Sequence, residues 1–148
     1  MKTDPDKLKT VCQVARSHGA TVISSEVFRD LVTARIVDLA TGEALVDWPE
    51  VADNPWSRFR GLMFRSRLGK GEGLVLQPCG SIHMFFMRFP IDAVFFDREW
   101  NVTRVARGVR PWVGLAFGGR GAHGVIELPV GAARHVERGH ALALEDAA

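Results

Sequence analysis

Cysteine is scarce in this chain, net charge is nearly absent, and no apolar run is long. Two cysteines, Cys12 and Cys79, cannot build the several crosslinks of a disulfide-stapled miniprotein. Reduced thiols are the expectation for a chain whose opening lacks a basic-then-apolar leader. No apolar stretch approaches the roughly 18 residues that a membrane-spanning helix needs, so a soluble, cytoplasmic protein without membrane contact is expected. Nineteen basic against 17 acidic side chains leave a formal charge of +2, too little to point to a polyanion such as nucleic acid. There is no Cys-x-x-Cys pair and no His-Glu-x-x-His run. The nearest approach to ligand spacing is Cys79 with His83 and His135 with His140, so neither a metal nor another cofactor is expected. Gly69, Gly71 and Gly73 alternate, but a strand follows them and no Gly-Lys-Ser/Thr closes the run, which excludes a phosphate loop.

What remains is 148 residues, 47% apolar and 24% charged, enough for one core in one domain. Asp4 as cap, Pro5 at the first turn and Gly19 as stop predict an N-terminal helix with Leu8, Val11, Cys12 and Ala15 on its apolar face. Residues 1–30 are therefore expected to be a helical extension to a single β-rich domain spanning 31–148. Alternation from Leu31 to Asp38, the turn Thr41-Gly42 and a return over Glu43–Asp47 predict a hairpin. Asn54-Pro55 opens a second short helix closed by Gly61. Further strands are expected at about Leu74–Gln77, Ile91–Phe96, Val102–Arg107, Val125–Leu128 and Ala141–Leu144, with Ile82–Phe89 reading as strand or bend. Residues 131–138 are expected to form a helical turn, and 109–124 a glycine-rich loop. The fold class that follows is α+β but β-dominated. Seven to eight short strands would form a mostly antiparallel curled sheet or partly closed barrel, with one or two short helices besides the N-terminal one.

Charge among large apolar residues marks the candidate site. His83, Arg88 and Asp92 fall within the run Ile82–Asp92, beside Met84, Phe85, Phe86, Met87 and Phe89. Glu127 stands alone in Val125-Ile126-Glu127-Leu128. An ion among such neighbours costs several kcal/mol unless it is paired. Two solutions are open: Asp92 caps a backbone turn or bridges Arg88 and does nothing else, or polar heads emerge from an aromatic wall as in a small-ligand pocket.

Three ordered blocks carry a resemblance. Arg58-Phe59-Arg60-Gly61-Leu62-Met63-Phe64-Arg65, then Met87 with Pro90-Ile91-Asp92 and Phe95-Phe96-Asp97, then Glu127-Leu128-Pro129-Val130-Gly131 resemble the signature blocks of the domain of unknown function 192 family, over about Leu31–Leu144. The resemblance implies a compact β-rich domain with a short helix bearing the Arg-Gly-Leu-Met block, and no known activity.

On this reading the function is that of an uncharacterised small-ligand-binding domain. Arg60, Met63, His83, Met87, Arg88, Asp92, Trp112 and Glu127 would converge on one hollow, with Trp112 and the stretch Gly114–Gly124 as a movable rim. Arg60 and Arg88 would hold an anionic group bidentately, Asp92 and Glu127 would orient them or bond a hydroxyl, and Met63 and Met87 would supply an adaptable wall. The ligand expected is small and anionic or hydroxylated. Two alternatives belong to other classes. One is a small hydrolase or isomerase using Asp92 and His83 as base and acid. The other is an interaction module presenting the basic segments 58–70 and 98–120 to nucleic acid or an acidic protein.

Overall fold

The computed structural model describes residues 34–52, 61–63 and 65–146. They form ten strands: β1 (Ala34–Asp38), β2 (Ala44–Val46), β3 (Trp48–Ala52), β4 (Glu72–Leu76), β5 (Ser81–His83), β6 (Ile91–Phe96), β7 (Val102–Val109), β8 (Leu115–Phe117), β9 (Gly124–Pro129) and β10 (Leu142–Asp146). Five of them make the central sheet in the order β3-β4-β9-β6-β7. A three-stranded sheet, β10-β1-β2, and a two-stranded one, β5-β8, complete the set. All pairings are antiparallel except β3 with β4.

The central sheet is buried on both faces, which is why its inner strands read as nearly unbroken apolar runs. Side chains alternate across a strand, and the two cores separate on that parity. Val75, Val94, Phe96, Ile126 and Leu128 face one core with Ile36, Leu45, Val46, Leu142 and Leu144 of the three-stranded sheet. Leu74, Leu76, Ala93, Phe95 and Val125 face the other, with Leu62, Ile82, Met84, Met87 and Ala116. The architecture is thus a layered stack with the five-stranded sheet in the middle.

The β6–β7 hairpin shows how a local sequence secures a tight link. Asp97 Oδ1 accepts from the amides of Glu99 and Asn101, each at 2.9 Å. Trp100 then adopts φ 63°, an unfavourable backbone for a bulky residue, while its indole is buried and stacked on Phe96 at 4.3 Å between centroids.

Several expectations need correction. No sheet closes into a barrel: β3 and β7 remain as outer strands. Ten strands replace seven or eight, because β3 and β8 were not expected. β3 contains Pro49, which speaks against a strand, but it lies at an edge where a missing donor is tolerated. Among the described residues there is no helix. The segment 131–138 is a run of turns closed by i to i+3 bonds, Arg134 N to Gly131 O at 3.3 Å and Val136 N to Ala133 O at 3.2 Å. The expected N-terminal helix and the helix opening at Asn54 lie outside the described residues, apart from the turn at Gly61–Met63. Within the glycine-rich stretch 114–124, two positions are set by close packing. A Cβ at Gly118 would fall 2.4 Å from the Ala122 Cβ, and one at Gly124 would fall 2.3 Å from Phe96 Cζ. These glycines are there because the backbone packs against its neighbours.

Candidate functional site

β9 pairs with β4 on one side and β6 on the other, which sets Glu127 in the middle of the sheet opposite Leu74 and Ala93. Its parity is that of Val125, so the carboxyl points into the core shared with Leu62, Met84 and Met87. Glu127 is 6% exposed. Its Oε2 is closed off from water and has no hydrogen-bond partner among the described residues. Burial pushes its pKa up to about 7, only partly offset by the guanidinium of Arg65. Arg65 is itself committed to Glu50, with Nη2 donating at 2.5 Å and Nη1 at 3.2 Å.

The carboxyl faces a small cleft of about 60 Å³ lined by Gly61, Leu62, Met63, Leu76, Cys79, Ser81, Ile82, His83 and Met87. That volume takes one functional group of a ligand, not a whole drug-sized molecule. The Cys79 thiol donates to the Ser81 carbonyl at 3.0 Å, and the His83 ring lies 5.1 Å from that of Phe85 at the exposed side.

Of the residues singled out from sequence, Met63, His83, Met87 and Glu127 line this cleft together. Asp92 does not. It alternates with Ala93 on β6 and therefore projects to the opposite face of the sheet, towards Ala133 and Val136. There it is 1% exposed and fully used by backbone: Oδ1 accepts from Gly108 N at 2.9 Å, and Oδ2 from Gly131 N at 2.9 Å and Ala133 N at 3.2 Å. The single hollow expected to hold both acids is therefore two environments, and Asp92 is a latch between β6, β7 and the 131–133 turn. Arg88 is exposed and Trp112 is half exposed, and neither lines the cleft. Trp112 packs edge-on against Phe86, centroids 5.4 Å apart, with both residues at positive φ. Arg60 lies outside the described residues.

Cys79, Ser81 and Ile82 are cleft residues that were not expected. The turn Pro78-Cys79-Gly80-Ser81 was the available signal, since it delivers the chain into β5. A third buried acid, Asp38, is also structural. It is 0% exposed, accepts from Ala40 N at 2.9 Å and lies 2.8 Å from His140 Nδ1. Among the described residues, no three His, Cys, Asp or Glu side chains gather in a way that could hold a metal ion.

Among the described residues, layered β-sheets enclose a buried acid, Glu127, beside a small cleft, and this architecture is that of a β-rich domain. The DUF192 family, described as an uncharacterized conserved family, matches residues 39–144, and the chain belongs to it. A UPF0127 protein from Thermococcus sibiricus is 34% identical over 100 residues, covering 65% of this chain. The matched region spans 64% of that relative's length. A solved structure from Novosphingobium aromaticivorans, of a protein of unknown function, shares the fold with a TM-score of 0.66 at 22% identity, over 74% of this chain and 82% of the other. Another, from Sinorhizobium meliloti and provisionally described as a transcription regulator, gives 0.65 at 21% identity, over 75% and 91%.

Proposed function

We propose that the chain is a small-ligand-binding domain whose recognition element is the Glu127 carboxyl at the base of the cleft. One observation carries the reading: Glu127, whose buried Oε2 has no hydrogen-bond partner among the described residues, lines the cleft together with Met63 and Met87. An unsatisfied buried acceptor costs about 1–3 kcal/mol, and a ligand hydroxyl reaching it recovers that cost. With its pKa near 7, Glu127 accepts from a hydroxyl when ionised and donates to a carbonyl or ether oxygen when protonated. Met63 and Met87 form a deformable wall around the inserted group. The exposed His83–Phe85 pair at the mouth supports the rest of the ligand.

The ligand class favoured is hydroxylated. The anionic alternative rested on Arg60 and Arg88; Arg88 does not line the cleft, and Arg60 lies outside the described residues. The enzymatic alternative rested on Asp92 acting with His83, and these lie on opposite faces of the central sheet.

A thermal-shift and NMR screen of small polyols, sugars and hydroxy acids tests the proposal. A true ligand raises Tm in proportion to its occupancy and perturbs the amides of Ser81–His83 and Glu127. Glu127→Leu fills the site with an apolar group and is expected to abolish both effects. A ligand whose binding survives that substitution unchanged sinks the proposal, as does a screen in which no compound perturbs those amides.

A further inference from the structure

The open edge of β7 borders a larger groove of about 500 Å³. One wall is the Gly118-Gly119-Arg120 segment after β8, the other is the turn Val136-Glu137-Arg138, and the floor is Thr103, Arg104, Val105 and Arg107 of β7. Four of the ten lining residues are arginines, against one acid, Glu137. None of the four forms a salt bridge among the described residues.

Arg107 differs from the others in being held. Its Nε donates to Ala133 O at 3.1 Å and its Nη2 to Val136 O at 2.5 Å, which fixes the guanidinium plane and leaves the Nη1 end unpaired. Arg104, Arg120 and Arg138 are exposed around it. Thr103 lines the same groove, though its hydroxyl oxygen is itself buried. Four guanidinium groups lining one concavity against a single acid raise the local anion concentration. Planar guanidinium groups match the paired oxygens of phosphate. An arrangement meant only to protect a sheet edge from pairing would not need a groove, nor an arginine anchored by two main-chain carbonyls.

We propose that this groove is a second binding site, for a small phosphate-bearing molecule. Arg107 presents a preorganised donor to the phosphate, Arg104, Arg120 and Arg138 close on its remaining oxygens, and Glu137 accepts from a hydroxyl of the attached polyol. The site is independent of the Glu127 cleft and shares no lining residue with it.

The test is an NMR titration of the full chain with pyrophosphate and with ribose 5-phosphate at constant ionic strength. Saturable shifts are expected at the amides of Thr103–Arg107, Gly118–Gly121 and Glu137–Arg138. The double variant Arg104→Ala/Arg120→Ala is expected to weaken binding by about tenfold or more. The charge-matched control Arg98→Ala/Arg110→Ala removes two exposed arginines outside the groove and is expected to leave affinity within about twofold. Glu137→Gln is expected to weaken ribose 5-phosphate more than pyrophosphate, which has no hydroxyl for Glu137 to accept from. The absence of saturable shifts at millimolar pyrophosphate overturns the proposal. So does equal weakening by the two double variants, which would reduce the effect to general charge attraction.

Discussion

Glu127→Gln replaces the orphaned carboxyl with a neutral group of the same shape, and its effect on stability must depend on pH in a defined way. The unfolded chain ionises Glu127 near 4.5, whereas burial holds the folded form protonated up to about 7. Between those values the folded state binds the extra proton, so stability falls as pH rises through the window and levels off above it. The gap of about 2.5 pH units, at ~1.36 kcal/mol per unit, amounts to ~3 kcal/mol, a large share of the 5–15 kcal/mol typical of a domain. The glutamine variant lacks this titration. Urea unfolding of both proteins, followed by tryptophan fluorescence at fixed ionic strength from pH 4.5 to 8.5, isolates it, because other titrating groups are common to the pair and cancel. The two proteins are expected to be similar near pH 4.5, with Glu127→Gln the more stable by ~3 kcal/mol above pH 8. A stability difference that stays flat across this range refutes the reasoning: the carboxyl would then be solvated or paired in the folded state.

Arg65→Gln removes the positive charge that holds the Glu127 pKa down, so the titration window should move to higher pH, as read from the carboxyl 13C resonance. An unmoved resonance would show that Arg65 exerts no field there. Asp92→Ala orphans the amides of Gly108, Gly131 and Ala133 and is expected to cost about 3–5 kcal/mol. Those three amides should also exchange faster, whereas ligand perturbations at the Glu127 cleft stay as they were. Gly124→Ala drives a methyl to 2.3 Å from Phe96 Cζ and 3.0 Å from the Leu76 carbonyl, and is expected to cost about 2–3 kcal/mol in urea unfolding. A near-neutral result would mean that the two layers slide apart freely.

Strong periodicity made much of the fold legible. Ile91–Phe96 is apolar throughout and is a central strand with those same bounds, and the hairpin around Thr41-Gly42 forms as its turn chemistry requires. What escaped was decided by tertiary neighbours. Trp48–Ala52 contains a proline and becomes a strand because β4 lies parallel beside it. Leu115–Phe117 sits among glycines and becomes one by pairing with Ser81–His83. The site was half legible for a related reason. That Asp92 and Glu127 are costly acids in apolar strands is visible from their neighbours. Which face each one takes depends on how β6 registers with β9, since Asp92 stands opposite Leu128 and not opposite Glu127. A one-residue change of register would have put both on the same side. Arg107's anchorage to carbonyls of a turn 26 and 29 residues further on has no local signal at all.

The pairing of β1 with β10 sets Ala34 against Asp146 and Asp38 against Leu142. During synthesis the hairpin of β1 and β2 leaves the ribosome long before its other neighbour exists, and it must carry Ile36, Leu45 and Val46 uncovered in the meantime. Completion of this sheet therefore waits for Leu142 and Leu144. Pairing between segments so far apart in sequence forms slowly, so loss of β10 would be felt at β1, more than a hundred residues earlier in the chain.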